Sequence, residues 1–311
     1  MTTDKRIVAL CGGVGGAKLA LGLTRVLPPE QLTIVVNTGD DFTHYGLPIC
    51  PDLDTVMYTL AGVSNSVQGW GREGETWNAF ETLRALGGET WFQLGDKDLA
   101  VHLQRRVLLE SGATLSKVTA TLCAALGVSH PVVPMSDQPV STVVETAEGS
   151  LAFQHYFVRE QCRPAITGYR FEGAEEAQPS PGFAAALDDP RLGAIIVCPS
   201  NPFVSVSPIL ALPTVKERLR ASKAPVIAVS PIVGGQAIKG PAAKMFRELA
   251  LPVNNQGVAD FYGDLLHTLV VDSGDRGEHL EVRCRVHYCP TVMSSLADRV
   301  ALAEECLSLV G

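Results

Sequence analysis

No stretch of the 311-residue chain approaches the roughly 20 consecutive apolar residues that a membrane-spanning helix needs, so no membrane partner is expected. Positive charge is not in excess either. Lysine and arginine number 25 against 33 aspartates and glutamates, a formal net charge of -8. A general nucleic-acid binder is expected to be basic, and that class is set aside. None of the eight cysteines forms a CxxC pair, which speaks against a structural zinc site of the ribbon or finger type. Most of them sit in apolar segments such as Ile195-Ile196-Val197-Cys198, the pattern of buried, reduced thiols in a cytoplasmic protein. The opening Met-Thr-Thr-Asp-Lys-Arg leads straight into a strand-like segment, so no signal peptide is expected. Internal repeats and low-complexity tracts are also missing.

What remains is globular: 46% hydrophobic and 19% charged residues, with length enough for a sizeable core. Short β-branched runs alternate with helix-length segments. Arg6–Cys11 reads as a strand, Ala17–Leu27 as a helix stopped by Pro28-Pro29, and Leu32–Asn37 as a second strand. That order is a βαβ unit. Its strands are almost continuously apolar, as suits a parallel sheet covered on both faces. Asp54–Ala61 and residues 98–126 look helical, the latter with a break near Ser111-Gly112. Ser141–Glu145 and Leu151–Val158 look like a hairpin around Glu148-Gly149, and Ala174–Gly182 reads as a loop. Ala194–Cys198, Pro225–Ser230 and Leu269–Asp272 return to buried-strand character. The expected fold is α/β: a doubly wound, mostly parallel, Rossmann-like sheet spanning residues 1–311. A largely helical and hairpin subdomain is expected to be inserted at about 62–190.

The first strand runs into Cys11-Gly12-Gly13-Val14-Gly15-Gly16-Ala17-Lys18. Glycines here let the backbone turn tightly and approach a ligand, and the helix that follows offers its positive end to an anion. Lys18 adds a formal charge. The segment fits neither GxGxxG, because residue 18 is lysine, nor GxxxxGK[ST]. It therefore points to phosphate binding without a standard dinucleotide or P-loop site, with a tight strand-to-helix turn that holds no ligand as the alternative.

Asn37-Thr-Gly-Asp40-Asp41 follows the second strand, and Pro51-Asp52-Leu53-Asp54-Thr55 comes soon after. Both are expected at the carboxyl edge of the sheet, beside the glycine segment. Carboxylates beside a pyrophosphate would repel it unless a cation intervened. Mg²⁺ is the economical choice. Helix capping is the plainer role for Asp52 or Asp54. A further Gly-Asp turn, Leu94-Gly-Asp96-Lys97-Asp98, opens a helix on which His102 shares a face with Asp98. Pro134-Met135-Ser136-Asp137, Pro199-Ser200-Asn201-Pro202 and Ser230-Pro231-Ile-Val-Gly234-Gly235 each follow an apolar run, with Lys239-Gly240-Pro241 just beyond. Their polar groups suit a base or a ribose. Turn formation is the competing account.

In this order the motifs resemble the 2-phospho-L-lactate transferases of coenzyme F420 biosynthesis, the CofD-like proteins. The resemblance covers nearly the whole chain and is carried by GGVGGAK at 12–18, NTGDD at 37–41, ICPDLDTVMYTLAG at 49–62, GWG at 69–71, LGDKDLAVHL at 94–103, PMSD at 134–137, PSNP at 199–202 and VSPIVGGQAIKGPAAKM at 229–245. It implies a Mg²⁺-dependent transferase, often dimeric. Such an enzyme moves a phospho-hydroxy acid from a guanosine diphosphate-linked donor to the ribityl hydroxyl of the deazaflavin Fo and releases GMP. Gly12, Gly13, Val14, Gly15, Gly16, Lys18, Ser200, Asn201, Gly234 and Gly235 would then hold the donor. Asp52, Asp54, Gln93, Met135 and Ser136 would meet Fo. Asp40 and Asp54 would hold the metal, and Asp40, Asp54 and Lys18 would act in catalysis. Asp54 has two competing roles, metal ligand and base for the hydroxyl. Relatives often carry a basic residue where this chain has Gln93, and some carry serine in place of Cys50. The donor acid, whether phospholactate, phosphoenolpyruvate or 3-phosphoglycerate, stays open. A non-catalytic, nucleotide-sugar-binding regulator of the same superfamily is the alternative. A nicotinamide-dependent dehydrogenase is disfavoured by Lys18 and by the acidic cluster.

Overall fold

A computed structural model describes residues 4–65, 68–237 and 240–310. The opening unit is β1 (Arg6–Cys11), α1 (Gly13–Val26) and β2 (Leu32–Val36). A short antiparallel pair, β3 (Phe42–His44) and β4 (Leu47–Ile49), leads into α2 (Pro51–Ala61). Three helices follow, α3 (Asn78–Ala85), α4 (Asp96–Glu110) and α5 (Leu115–Ala125), and then β5 (Val132–Pro134). A separate antiparallel sheet is built from β6 (Ser141–Thr146), β7 (Gly149–Ala152) and β8 (Ile166–Glu172). α6 (Pro181–Asp188) precedes β9 (Leu192–Val197), and α7 (Ser207–Ala211) and α8 (Val215–Ala221) precede β10 (Val226–Val229). A two-residue hairpin, β11 (Ile232–Val233) and β12 (Gln236–Ala237), is followed by α9 (Ala242–Glu248), α10 (Asn255–Tyr262), β13 (Thr268–Asp272), β14 (Arg285–Cys289) and α11 (Leu296–Ser308).

Seven strands form the central sheet in the order β14-β13-β10-β9-β1-β2-β5, and every neighbouring pair is parallel. Alternate residues of each strand enter one of two apolar layers. Val8, Leu10, Ile195 and Val197 face one layer, while Ile7, Ala9, Cys11, Ile196 and Cys198 face the other with α1 and α11. The fold is therefore α/β and doubly wound, as its apolar runs specify. The strand order reverses between β1 and β9. Ligands of such sheets bind at the carboxyl ends of the strands beside that reversal.

Three local expectations change. The helix after β1 begins at Gly13 rather than near Ala17, so most of the glycine segment is the first helical turn. Leu151–Val158 does not continue as a strand: β7 stops at Ala152, and a π-helical turn spans His155–Arg159. β5 lies inside the stretch expected as an insertion, yet it pairs with β2 in the central sheet. The helical part (α3–α5) and the antiparallel sheet are thus two excursions separated by a core strand. All eight cysteines are free thiols. Among the described residues no helix is long and apolar enough to cross a membrane.

Candidate active site

The glycines at the end of β1 are fixed first by close approach of other parts of the chain. A Cβ on Gly15 would lie 2.2 Å from the Pro199 carbonyl oxygen, and one on Gly12 would lie 2.5 Å from Asp52 Oδ2. Gly13 has φ +60°, a backbone state that side chains disfavour. The loop after β9 therefore presses directly onto the turn after β1, across the reversal of strand order. Ser200 Oγ accepts from the Gly12 amide at 3.2 Å and donates to the Gly12 carbonyl at 2.9 Å. Asp52 Oδ1 accepts from the Gly13 amide at 2.7 Å, and its other oxygen accepts from Asn37 Nδ2 at 2.9 Å. The expected set of outward-pointing amides is thus reduced. Those of Gly12 and Gly13 are taken by protein groups. Val14 and Gly15 follow in the first turn, where an α-helix supplies no i-4 carbonyl. Lys18 Nζ donates to the Met293 carbonyl at 2.8 Å, in the segment after β14.

Asp40 and Asp41 leave β2 at the carboxyl edge of the sheet. Asp40 is buried and Asp41 half-buried, and Oδ1 of each lacks a hydrogen-bond partner. Burial raises the Asp40 carboxyl well above the usual carboxylate range, and the nearby Asp52 and Asp41 charges raise it further. Asp41 is raised in the same way by burial. Asp52 is pushed up to about 6 by burial, against the opposing bonds from Asn37 and Gly13. Both Asp40 and Asp41 line a cavity of about 480 Å³ together with Phe42, Cys50, Leu109, Gln138, Thr142, Phe153 and Gln154. The β2–β3 connection, α4, α5 and the antiparallel sheet enclose it.

Asp54 lies outside the lining of that cavity. It is buried on α2, with one oxygen bound by the Arg105 guanidinium and the other, Oδ2, without a hydrogen-bond partner and 3.8 Å from His102 Nδ1. Arg105 Nη1 lies 2.8 Å from His102 Nδ1 and donates to the Pro48 carbonyl at 3.2 Å. His102 Nε2 is 3.4 Å from Asp98 Oδ1, which also accepts from the Tyr58 hydroxyl at 2.6 Å. Burial works to raise the Asp98 carboxyl, but His102 and Tyr58 outweigh it and hold it below the ordinary value. Asp54, Asp98 and His102 each offer a ligand atom within 4.8 Å of the others. Arg105 was absent from the sequence-based set. Its signal was the spacing Asp98, His102, Arg105, which puts charged residues on the buried face of one helix.

The remaining expected residues divide by what engages them. Met135 is fully buried in the apolar core, and Ser136 is fully buried with its hydroxyl on Gln138 Oε1 at 3.0 Å. Packing thus encloses both, where contact with Fo had been expected. Asp137 accepts from the Ser116 amide at 2.7 Å and so anchors the start of α5. Asn201 Oδ1 accepts from the Phe203 amide at 3.0 Å, a turn-forming contact. Gly234 and Gly235 are exposed in the β11–β12 hairpin, and the Asp275 carboxylate takes the Gly234 amide at 3.0 Å. Asp96 accepts from Thr76, Asn78 and Ala79 and fixes the start of α3. Gln93 is exposed, but its loop neighbour Phe92 packs edge-on against Phe42 with ring centroids 4.9 Å apart, which brings that loop beside the cavity. Lys239 lies outside the described residues.

Known proteins resemble this chain over nearly its whole length. The family model of the 2-phospho-L-lactate transferase CofD matches residues 7–290. The chain is 37% identical over 301 residues to the 2-phospho-L-lactate transferase of Methanosarcina mazei, covering 96% of this chain and 98% of that one. It is 41% identical over 315 residues to the phosphoenolpyruvate transferase of Streptomyces griseus, covering 98% of each. The crystal structure of a UPF0052 family member from Bacillus halodurans shares the fold with a TM-score of 0.64 at 14% identity, over 99% of this chain and all of that one.

Proposed function

This chain belongs to the family of the 2-phospho-L-lactate transferase CofD and is a transferase of F420 biosynthesis, and on that premise we propose which groups it joins. It moves a phospho-hydroxy acid from a guanosine diphosphate-linked donor to the ribityl hydroxyl of Fo. The acid is phospholactate, as in the name of the Methanosarcina relative, or enolpyruvyl phosphate, as in that of the Streptomyces relative. 3-Phosphoglycerate is the remaining candidate. The hydroxyl oxygen forms a new bond to the phosphorus that bears the acid. The anhydride P–O bond breaks, its electron pair leaves on GMP, and the hydroxyl proton passes to a carboxylate.

One observation carries this reading. Unpartnered carboxylate oxygens stand on a cavity wall at the carboxyl edge of the sheet, beside the turn after β1. Buried hard-oxygen donors with no hydrogen bond fit Mg²⁺. Asp40 and Asp41 would hold it, with Asp54 Oδ2 as a further donor behind them. When bound it would offset the diphosphate's negative charge and that of the departing phosphate. The chain's own residues do the rest. The first turn of α1, through Val14 and Gly15, receives the donor's phosphates, with Lys18 in the next turn. The aromatic walls at Phe42 and Phe153, with the Gln93 loop above, accept the planar deazaflavin. A wall carboxylate, Asp40 or Asp41, takes the hydroxyl proton, and Asp54, fixed by Arg105 outside the cavity lining, supports the metal from behind. The enzyme works as a cytoplasmic homodimer.

The test is incubation of the purified protein with Fo, Mg²⁺ and, separately, the three guanylylated donors, with products identified by mass. An adduct of Fo with one acid is expected and names the donor. No adduct from any of them overturns the proposal.

A further inference from the structure

A second group of metal-type ligands lies away from the acidic cluster, between the edge strand of the sheet and the C-terminal helix. His287 and Cys289 are two residues apart on β14 and so point to the same face, the face covered by α11. Glu305 on α11 reaches them. His287 Nε2 is 2.8 Å from Glu305 Oε2, and the Cys289 sulfur completes a set whose ligand atoms all lie within 4.8 Å of one another. Donors around a tetrahedral ion at zinc–ligand lengths stand about 3.3–3.8 Å apart, so the set needs little movement to close on one.

We propose that His287, Cys289 and Glu305 form a binding site for a divalent ion of zinc type. A nitrogen, a sulfur and an oxygen donor together favour a borderline-soft ion over Mg²⁺ or Ca²⁺. Three protein ligands leave a fourth position for water, because His287 and Glu305 are partly exposed on that side. Cys289 is buried, with the Glu305 and Asp272 carboxylates near it. Those same carboxylates favour a cation there. Asp272 is not a ligand, since its oxygens accept from Gly274 and Thr291. The ion joins β14 to α11. It also fixes the start of the segment 290–295, whose Met293 carbonyl receives Lys18. The absence of CxxC pairs could not reveal such a site, because its ligands come from a strand and from a helix one connection later.

The site is independent of the transferase reading and is tested without turnover. The full-length protein, stripped with chelator, is titrated with Co²⁺ and then with Zn²⁺. A thiolate-to-cobalt absorption band is expected, displaced by one Zn²⁺ per chain. Binding releases the thiol proton, so it strengthens as pH rises. Cys289→Ser is expected to abolish the band, and His287→Gln to weaken zinc binding about tenfold or more. His102→Asn, in the other ligand cluster, is expected to leave the band intact. Lack of a thiolate band in the wild type overturns the proposal, as does a band that survives in Cys289→Ser or disappears in His102→Asn. Should Cys289→Ser fail to fold by circular dichroism, unchanged zinc affinity in His287→Gln is the overturning result.

Discussion

Arg105 has a side chain 2% exposed, and its guanidinium meets the Asp54 carboxylate in a site closed to solvent. Removing one member of such a pair strands a charge, which costs about 3–5 kcal/mol, whereas removing both costs far less. Arg105→Met and Asp54→Asn are each expected to lower stability by about that amount in urea unfolding. The double variant should regain most of it, with turnover absent wherever Asp54 is replaced. Near-normal turnover in Asp54→Asn would remove that residue from the mechanism. Asp40 supplies a pH prediction. Its carboxyl titrates well above the ordinary range because it is buried among other carboxylates. As pH rises, the unfolded chain ionises first. The contribution of Asp40 is therefore complete below the ordinary carboxylate value and is lost as pH climbs through the raised one. Without added divalent ions, the Tm of Asp40→Asn should gain on the wild type as pH rises from the ordinary carboxylate range toward neutrality. A constant difference across that range would contradict the assignment. Asp40, Asp54 and Lys18 were readable as single residues because glycine, aspartate and lysine motifs announce chemistry. Their partners Arg105 and Met293 were not, since nothing local marks a contact made across 51 or 275 residues.

At the scale of elements, α1 is held by two close approaches that glycine permits. A Cβ on Gly22 would lie 2.0 Å from the Arg299 carbonyl of α11, and one on Gly15 would meet the Pro199 carbonyl. Alanine improves helix propensity by about 1 kcal/mol. A backbone carbonyl inside van der Waals distance outweighs that, because packed helices do not separate freely; overpacking costs about 1–3 kcal/mol. Gly22→Ala is therefore expected to lower Tm with little change in KM. Gly15→Ala is expected to lower both Tm and kcat/KM, because it moves the turn at the site. Thermal melts and initial rates check this, and a neutral Gly15→Ala would show that the turn is not constrained as described. The run of glycines was legible as special, but its cause was not. A phosphate and a protein carbonyl ask the same thing of a backbone, and Pro199 is remote in sequence.

At the scale of the molecule, the continuous apolar runs of β1, β2, β9, β10 and β13 specified the doubly wound sheet, because a strand buried on both faces needs them. β14 was less visible. Its Arg285-Val-His-Tyr-Cys289 mixes charged and aromatic residues with apolar ones, and only Cys289 is buried, as suits an edge strand. β5 was hidden by being three residues long between helices and an antiparallel sheet. The carboxyl edge of this sheet gathers the turn after β1, the Asp40–Asp41 pair and the cavity, and the proposed transfer depends on that gathering. Its most direct test is whether GMP release is coupled to the acceptor. With the working guanylylated donor and Mg²⁺, GMP and the Fo adduct should appear one for one, with negligible GMP when Fo is left out. GMP released at the same rate without Fo, and no adduct with it, would make the protein a hydrolase and contradict the account.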